Sequence, residues 1–424
     1  MSDLVDAVVV GGGLLGTAMT LALARRNLRV ILLESQRLGK GATGSGFAWI
    51  NATYKTEDET YFQLNAQGVA CYDQLAREWG AERAGIHTTG SVFWTRPEDS
   101  TGQERLRQQA QRLQEWNYPV TLLSGAELAV LEPNVASYAS QSQTMDANAV
   151  LFAPNDKWVD TSRLCRLFVE QAQLHKAEIR LDCPALGFTR NASNAISTVD
   201  TALGRISTPL LVLAAGIATP QLVAQLTGDP TSAERVPVNQ EPGLLLETPP
   251  LPFSQNIGRI LYPPDAQGLH LRPTPSGGVL IGAENIDADL QRAALSRSTP
   301  NINAASISNT NSNIYSNSIS GAVWRGLLDR AASGLLDRAA KCLPDLPLSE
   351  MAAGCIPRLC IRPVPADGFP IVGALDEVPG AYVIVTHSGI TLGPLLADLL
   401  ATEILTRTAS PLLTRYRPDR FSAL

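Results

Sequence analysis

The stretch VVVGGGLLGTAMTLALARRNLRVILLES, residues 8–35, constrains the fold more than any other part of the chain. Asp6 to Val10 is a short apolar, β-branched run bounded by glycines, the pattern of a fully buried parallel strand. Gly11, Gly13 and Gly16 follow as G-x-G-x-x-G. The first glycine permits a tight turn, the second lets backbone approach a pyrophosphate, and the third lets a helix pack closely on the strand. The spacing predicts a helix over Thr17 to Arg26, with Ala18, Ala22 and Ala24 as small packing surfaces, and a second buried strand over Leu28 to Leu33. Glu34 stands at the carboxyl end of that strand, where an acid accepts hydrogen bonds from both adenosine ribose hydroxyls and repels a 2′-phosphate. The unit reads as βαβ with a helix N-terminus aimed at phosphate charge. A dinucleotide site is expected here, formed by Gly11, Gly13, Leu14, Leu15, Gly16, Glu34 and Ser35.

Bulk properties narrow the class. The 424 residues suffice for two or three domains or one large interleaved pair, and 45% hydrophobic residues supply a substantial core. A net charge of −6 gives no basic field for nucleic acid or an anionic membrane. The chain enters a strand by Asp6 without a charged and apolar leader, so no secretory signal is expected, and no run approaches an uninterrupted transmembrane span. Six cysteines without C-x-x-C suggest reduced thiols. Histidines at 87, 175, 270 and 387 are too scattered for a metal motif, so no metal is expected. These features point to an acidic cytoplasmic enzyme whose self-association is left open.

Organisation along the chain points to a second nucleotide-binding element. RLGKGATGSGFAWIN, residues 37–51, is a further glycine-rich loop, of use to an extended flavin dinucleotide but seldom to a nicotinamide-only domain. Helices are expected over Tyr61 to Trp79, Gln103 to Trp116 and from an Asp160 or Thr161 cap to Lys176. A strand over Leu210 to Ala214, ending in Ala215-Gly216, returns the chain to the nucleotide sheet. GLHLRPTPSGGVLIGAEN reads as a hairpin turning at Gly277-Gly278, and the last segment as strand, glycine turn and helix to Leu405. Residues 296–320, dominated by Ser, Asn and Ile, read as a disordered low-complexity insertion beside a tandem GLLDRAA repeat at Gly326 and Gly334, expanded by replication slippage.

The C-terminal RPVPADGFPIVG resembles the R-P-x-x-x-D-G-x-P-x-I-G of the D-amino-acid oxidase, glycine oxidase and sarcosine oxidase superfamily, and HSGITLGP its flavin-covering turn. KWVDTSRL is similar to the family's G-x-V-D-P-x-x-L with Thr161 in place of proline, and LLVLAAGIATPQL to its mid-chain block without the tryptophan. The resemblance runs in order across nearly the whole chain apart from residues 296–345. It implies an α/β fold: a Rossmann-like, glutathione-reductase-type FAD-binding domain interleaved with an α+β substrate domain on a mostly antiparallel sheet. The implied division is 1–55, 154–220 and 355–424 for FAD, and 56–153 and 221–354 for substrate. It also implies hydride transfer from the C–N bond of an amine or amino acid to flavin. By position, Thr43, Gly44, Ser45 and Gly46 would meet the flavin end, Ala215 and Gly216 the mid-chain turn, and His387, Ser388, Gly389, Ile390 and Thr391 the pyrimidine edge.

The resemblance gives Arg362 the substrate carboxylate, a role suited to a planar fork; the competing reading is a structural ion pair. His270 would shape the pocket or orient the amine, and His387 would hydrogen-bond near the flavin, each with a structural alternative. Trp49, Tyr54 and Trp94 are candidate pocket walls. Sarcosine-oxidase relatives bond flavin to a cysteine at the Cys360 position, whereas glycine-oxidase relatives carry a small residue there; FAD is read as non-covalent, with the Cys360 link as the alternative. The expected partners are a small amine or amino acid and an acceptor, O2 or quinone. An oxidase giving imine and hydrogen peroxide leads, ahead of a dehydrogenase and of a non-catalytic flavin-binding subunit.

Overall fold

The computed structural model describes residues 3–135, 150–264, 268–295 and 319–421. Ala7–Val10, Leu14–Ala24 and Val30–Leu33 form strand, helix and strand, the helix starting earlier than its apolar residues predict. Gly13 already caps it in extended conformation, and a glycine carries no periodic signal. Every residue of this helix is buried, so it is apolar on all sides rather than amphipathic.

The two strands belong to a six-stranded sheet ordered Glu178–Arg180, Val30–Leu33, Ala7–Val10, Leu211–Leu213, Ala381–Val385, Ile371–Ala374. All neighbours are parallel except the last pair. The chain leaves this sheet and returns to it three times, at Glu178, Leu211 and Ile371, as an interleaved architecture requires. In the gaps it builds an eight-stranded sheet ordered Ile356–Pro365, Val238–Glu247, Val279–Ala283, Leu269–Pro273, Ile260–Tyr262, Ser91–Trp94, Val150–Ala153, Thr121–Leu123. One neighbouring pair, Ile260–Tyr262 with Ser91–Trp94, is parallel and the rest are antiparallel. The expected hairpin turns at Gly277, whose φ of +85° favours glycine.

Between the sheets, Trp49–Ile50 and Ile86–His87 flank Lys157–Val159 in a three-stranded ribbon. Asp160 then caps Thr161–Leu174 by accepting the Arg163 N–H. The last helix, Gly389–Thr406, has the length and apolar composition of a membrane span, which the sequence reading did not expect. Its residues Leu392, Leu396, Ala397, Leu400 and Ala401 are nevertheless buried against Leu14–Ala24 and Glu59–Trp79.

The insertion assigned to 296–320 lies outside the described residues up to 318. Residues 319 and 320 begin the helix Ile319–Cys342, which corrects that boundary. Both GLLDRAA copies are helical. Leu328, Leu335, Leu336 and Ala339 are buried under the eight-stranded sheet, while Asp329, Arg330 and Asp337 face water.

Candidate active site

The glycine turn is fixed by close backbone approach. Gly11 has φ +113°, and a Cβ there would lie 2.5 Å from the Ala214 carbonyl oxygen. A Cβ on Gly16 would collide with the Gly11 carbonyl oxygen, so the helix sits against the turn itself. The N–H groups of Leu14 to Gly16 precede the first intrahelical bond, Thr17 N–H to Gly13 O, and form a donor cluster at the positive end of the helix. The Leu14 N–H donates to Thr43 Oγ1 (3.1 Å), which ties the second glycine loop to the first.

Glu34 turns its carboxylate back on the glycine turn. Oε2 accepts the Gly12 N–H at 2.6 Å; Oε1 accepts the Gln36 N–H at 2.8 Å and the Ser35 hydroxyl at 3.2 Å. The carboxylate is thus fixed at the strand end, and its four lone-pair sites leave capacity for a further hydroxyl. Ala42–Ser45 forms one short helical turn, and Ser45 Oγ donates to Gly41 O. Gly216, at φ +56°, opens the turn that follows Leu211–Leu213.

The far end of the chain arrives at the same place. Ser388 caps the helix that starts at Gly389, and its hydroxyl meets the Tyr61 hydroxyl at 2.7 Å. Thr391 Oγ1 accepts the Asn51 N–H at 3.2 Å, and the Ile390 carbonyl accepts a hydrogen bond from Tyr72. A Cβ on Gly389 would lie 3.8 Å from Leu15, and one on Gly393 would lie 3.3 Å from Leu14. Two helix N-termini, from opposite ends of the sequence, therefore stand side by side.

The field of Arg362 lowers the pKa of both His270 and His387. Burial is the larger cause in each, pushing His270 down to about 4 and His387 to about 3, so both rings are neutral near pH 7. His270 Nδ1 lies 2.9 Å from the Gly268 carbonyl, which can only accept. The neutral ring therefore carries its proton on Nδ1, and Nε2 presses on Gly282. His270 packs edge-on to Phe47 and against Tyr262 (centroids 4.6 and 5.5 Å), which makes it an aromatic wall and not a proton carrier.

Arg362 makes the ion pair that the alternative reading foresaw. Nη1 lies 3.0 Å from Asp287 and Nη2 4.0 Å from Glu241, while Nε is buried with no acceptor. Asp287 also accepts the Leu244 N–H, and burial raises its pKa despite the arginine. The sequence could not name Asp287 as the partner, because the pair joins a helix start to a distant strand.

The wall residues need one correction. Trp49 and Tyr54 belong to an aromatic cluster with Phe93 and Tyr262, but Trp94 does not. Alternate strand residues face opposite ways, and Trp94 is buried in the other core. Tyr54 donates to Glu284 at 3.0 Å; burial and that carboxylate raise its phenol pKa, so it stays protonated. Lys55, its neighbour, lies over the Tyr61 ring at 5.7 Å with its pKa lowered by burial.

Beneath this loop Asp156 is fully buried and accepts hydroxyls of Thr53 (2.8 Å), Ser91 (2.5 Å) and Tyr118 (2.9 Å). Desolvation pushes its carboxyl up from 3.8 to about 6, with the hydroxyls opposing. A raised acid pKa means that the folded state binds the proton more tightly, so this group's stabilisation is complete below about pH 4 and is lost as pH rises through about 6. Asp156→Asn removes the titration. The stability of the natural chain relative to this variant is expected to grow on the order of 3 kcal/mol between pH 7 and 4. Urea unfolding of both across that range checks it; a difference independent of pH refutes it.

Two helix N-termini that meet beside a glycine turn suit the phosphates of a dinucleotide. The chain belongs to the FAD dependent oxidoreductase family, which matches residues 6–403. Glycine oxidase of Geobacillus kaustophilus (strain HTA426) is 25% identical over 96% of this chain and 94% of that enzyme. In structure, the chain is similar to glycine oxidase from Geobacillus kaustophilus (TM-score 0.72, 22% identity, 99% of each chain). It is also similar to L-proline dehydrogenase from P. horikoshii (TM-score 0.73, 19% identity, 100% and 99%). Among the described residues no cluster of His, Cys, Asp or Glu could hold a metal ion.

Proposed function

We propose that this FAD-dependent oxidoreductase oxidises the C–N bond of a small amino acid or secondary amine and passes the electrons to oxygen, releasing imine and hydrogen peroxide. The observation that carries this reading is the buried, acceptor-free Nε of Arg362, whose field reaches His387 just before the helix start at Gly389. An Nε–H in water-poor surroundings calls for an acceptor. Asp287 holds Nη1 and Glu241 stands 4.0 Å from Nη2, which leaves Nε as the donor for a substrate carboxylate oxygen.

The glycine turn fits FAD on its own geometry. Gly11 and Gly16 hold the helix start tightly against the turn, and the Leu15 and Gly16 N–H groups of the first turn suit an anion. In this reading Gly11, Gly13, Leu14, Leu15 and Gly16 hold the pyrophosphate, and Glu34 with Ser35 the ribose. Thr43–Gly46 with Ala215 and Gly216 flank the flavin, and His387–Thr391 its pyrimidine edge. When bound, FAD supplies the two-electron acceptor. The N–H groups at Ser388 to Ile390 favour negative charge beside them. Neutral His270 and the aromatic cluster of Trp49, Tyr54, Phe93 and Tyr262 exclude water and orient an apolar substrate body. Transfer from a neutral amine needs alignment and not proton abstraction.

An anaerobic flavin-bleaching screen of the holoenzyme against D-, L- and N-methyl amino acids tests the proposal. Failure of every one to bleach the flavin overturns it and favours a non-catalytic flavoprotein. Peroxide release in air separates the oxidase from a dehydrogenase that needs a quinone or protein acceptor.

Cys360 lies beside the flavin loop, with Sγ 3.8 Å from the Ala42 carbonyl oxygen. Burial raises its thiol pKa, which disfavours the thiolate that would attack flavin. Acid precipitation is therefore expected to leave the flavin in the supernatant; colour in the pellet would establish the covalent link.

A further inference from the structure

Arg272 stands two residues after His270 on the strand Leu269–Pro273, on the same face of the sheet. It is 5% exposed. Taking a guanidinium out of water costs several kcal/mol unless its charge is compensated. Among the described residues no carboxylate lies at ion-pair distance. Nε donates to the Phe47 carbonyl and Nη1 to the Pro273 carbonyl (2.7 Å). The guanidinium carbon lies 5.6 Å from the Phe47 ring centre and 4.9 Å from that of Trp158, which stacks on His87 at 3.7 Å. Asp160, whose field reaches Arg272, is engaged as the cap of the helix Thr161–Leu174. Carbonyl dipoles and aromatic faces stabilise a cation without cancelling its charge. Desolvation pushes Arg272 down to about 9, so it remains charged at neutral pH.

The guanidinium is thus hydrogen-bonded within the protein but not neutralised by a carboxylate at ion-pair distance. Phe47, whose carbonyl accepts the Nε hydrogen bond, directly follows the loop Thr43–Gly46. We propose that Arg272 is a fixed counter-charge for the bound flavin, stabilising the negative charge that the ring gains on reduction and so raising its reduction potential. This rests on the reading of Thr43–Gly46 as the flavin loop. The protein's means of tuning a flavin is charge placed near its ring nitrogens, and a buried charge is screened far less by salt than an exposed one.

The test compares holoenzymes carrying Arg272→Gln, which keeps a donor for the Phe47 carbonyl without charge, and Arg272→Lys, which keeps the charge without the fork. Two substrate-free readouts are used: the two-electron midpoint potential, and the dissociation constant of sulfite, an anion that bleaches oxidised flavin on binding it. Arg272→Gln is expected to weaken sulfite at least tenfold and to lower the potential correspondingly, by about 30 mV per tenfold for a two-electron couple. Arg272→Lys is expected to stay within about threefold of the natural protein. A glutamine variant with unchanged potential and sulfite affinity overturns the proposal. So does a result in which glutamine and lysine fall together, in potential or in FAD retention, because the fork's geometry and not its charge would then be what matters. Since neither readout needs a substrate, the expected shift in a chain that oxidises no amine would leave this inference standing and overturn only the proposed reaction.

Discussion

Arg362→Ala is expected to raise KM for an amino-acid substrate about 100- to 1,000-fold while FAD stays bound. Removing one partner of a desolvated, hydrogen-bonded charge pair costs roughly 2–5 kcal/mol, and each 1.4 kcal/mol is about tenfold. Part of that cost falls on Asp287, which loses its cation and is left buried at 14% exposure. Arg362→Lys should recover little, because an ammonium keeps the charge but not the fixed donor at Nε. An amine without a carboxylate should be affected far less, and this contrast separates the clamp from general damage to the site. The checks are steady-state kinetics on both substrate types and the flavin absorbance of the purified variant. Ordinary saturation of the alanine variant by an amino acid would sink the clamp.

The second large effect is expected at the other end of the site. Gly16→Ala places a Cβ against the Gly11 carbonyl oxygen, and neither partner is a flexible side chain that can swing away. The helix Leu14–Ala24 must move off the turn, which misdirects its first N–H groups and disturbs the packing of Gly393 on Leu14. Backbone clashes of this kind belong to the mechanisms that cost several kcal/mol. Retained FAD is expected to fall at least about 100-fold in affinity, or the chain to lose its fold. Flavin-to-protein absorbance ratio and FAD titration measure the first outcome, circular dichroism the second. A folded variant as yellow as the natural protein would show that the close approach is not required.

Much of this was written locally in the chain. The strand, glycine turn and following strand of residues 7–33 form as expected because each depends on neighbours: β-branched residues for strands, glycine for φ +113° at Gly11 and for contact at Gly16. The cap at Asp160 and the hairpin at Gly277 are likewise short-range. Helix boundaries were less legible. Leu14–Ala24 is buried on every side, so its apolar residues follow no period, and its beginning lies in the glycines themselves. The orientation of Trp94 failed for a related reason: a strand's period of two says that neighbours diverge, but which face becomes the pocket wall depends on the sheets that cover it.

The site divides along the same line. Residue order alone pointed to the glycine turn, the family resemblance and Arg362 as a candidate, since these depend on residue type at fixed spacing. Only the tertiary structure decided that Arg362 is shared with Asp287, that His270 and His387 are held neutral, and that Arg272 is buried without a carboxylate. Charge state and pairing follow from desolvation and from which distant elements are brought within a few ångströms, and neither exists until the two sheets close on one another.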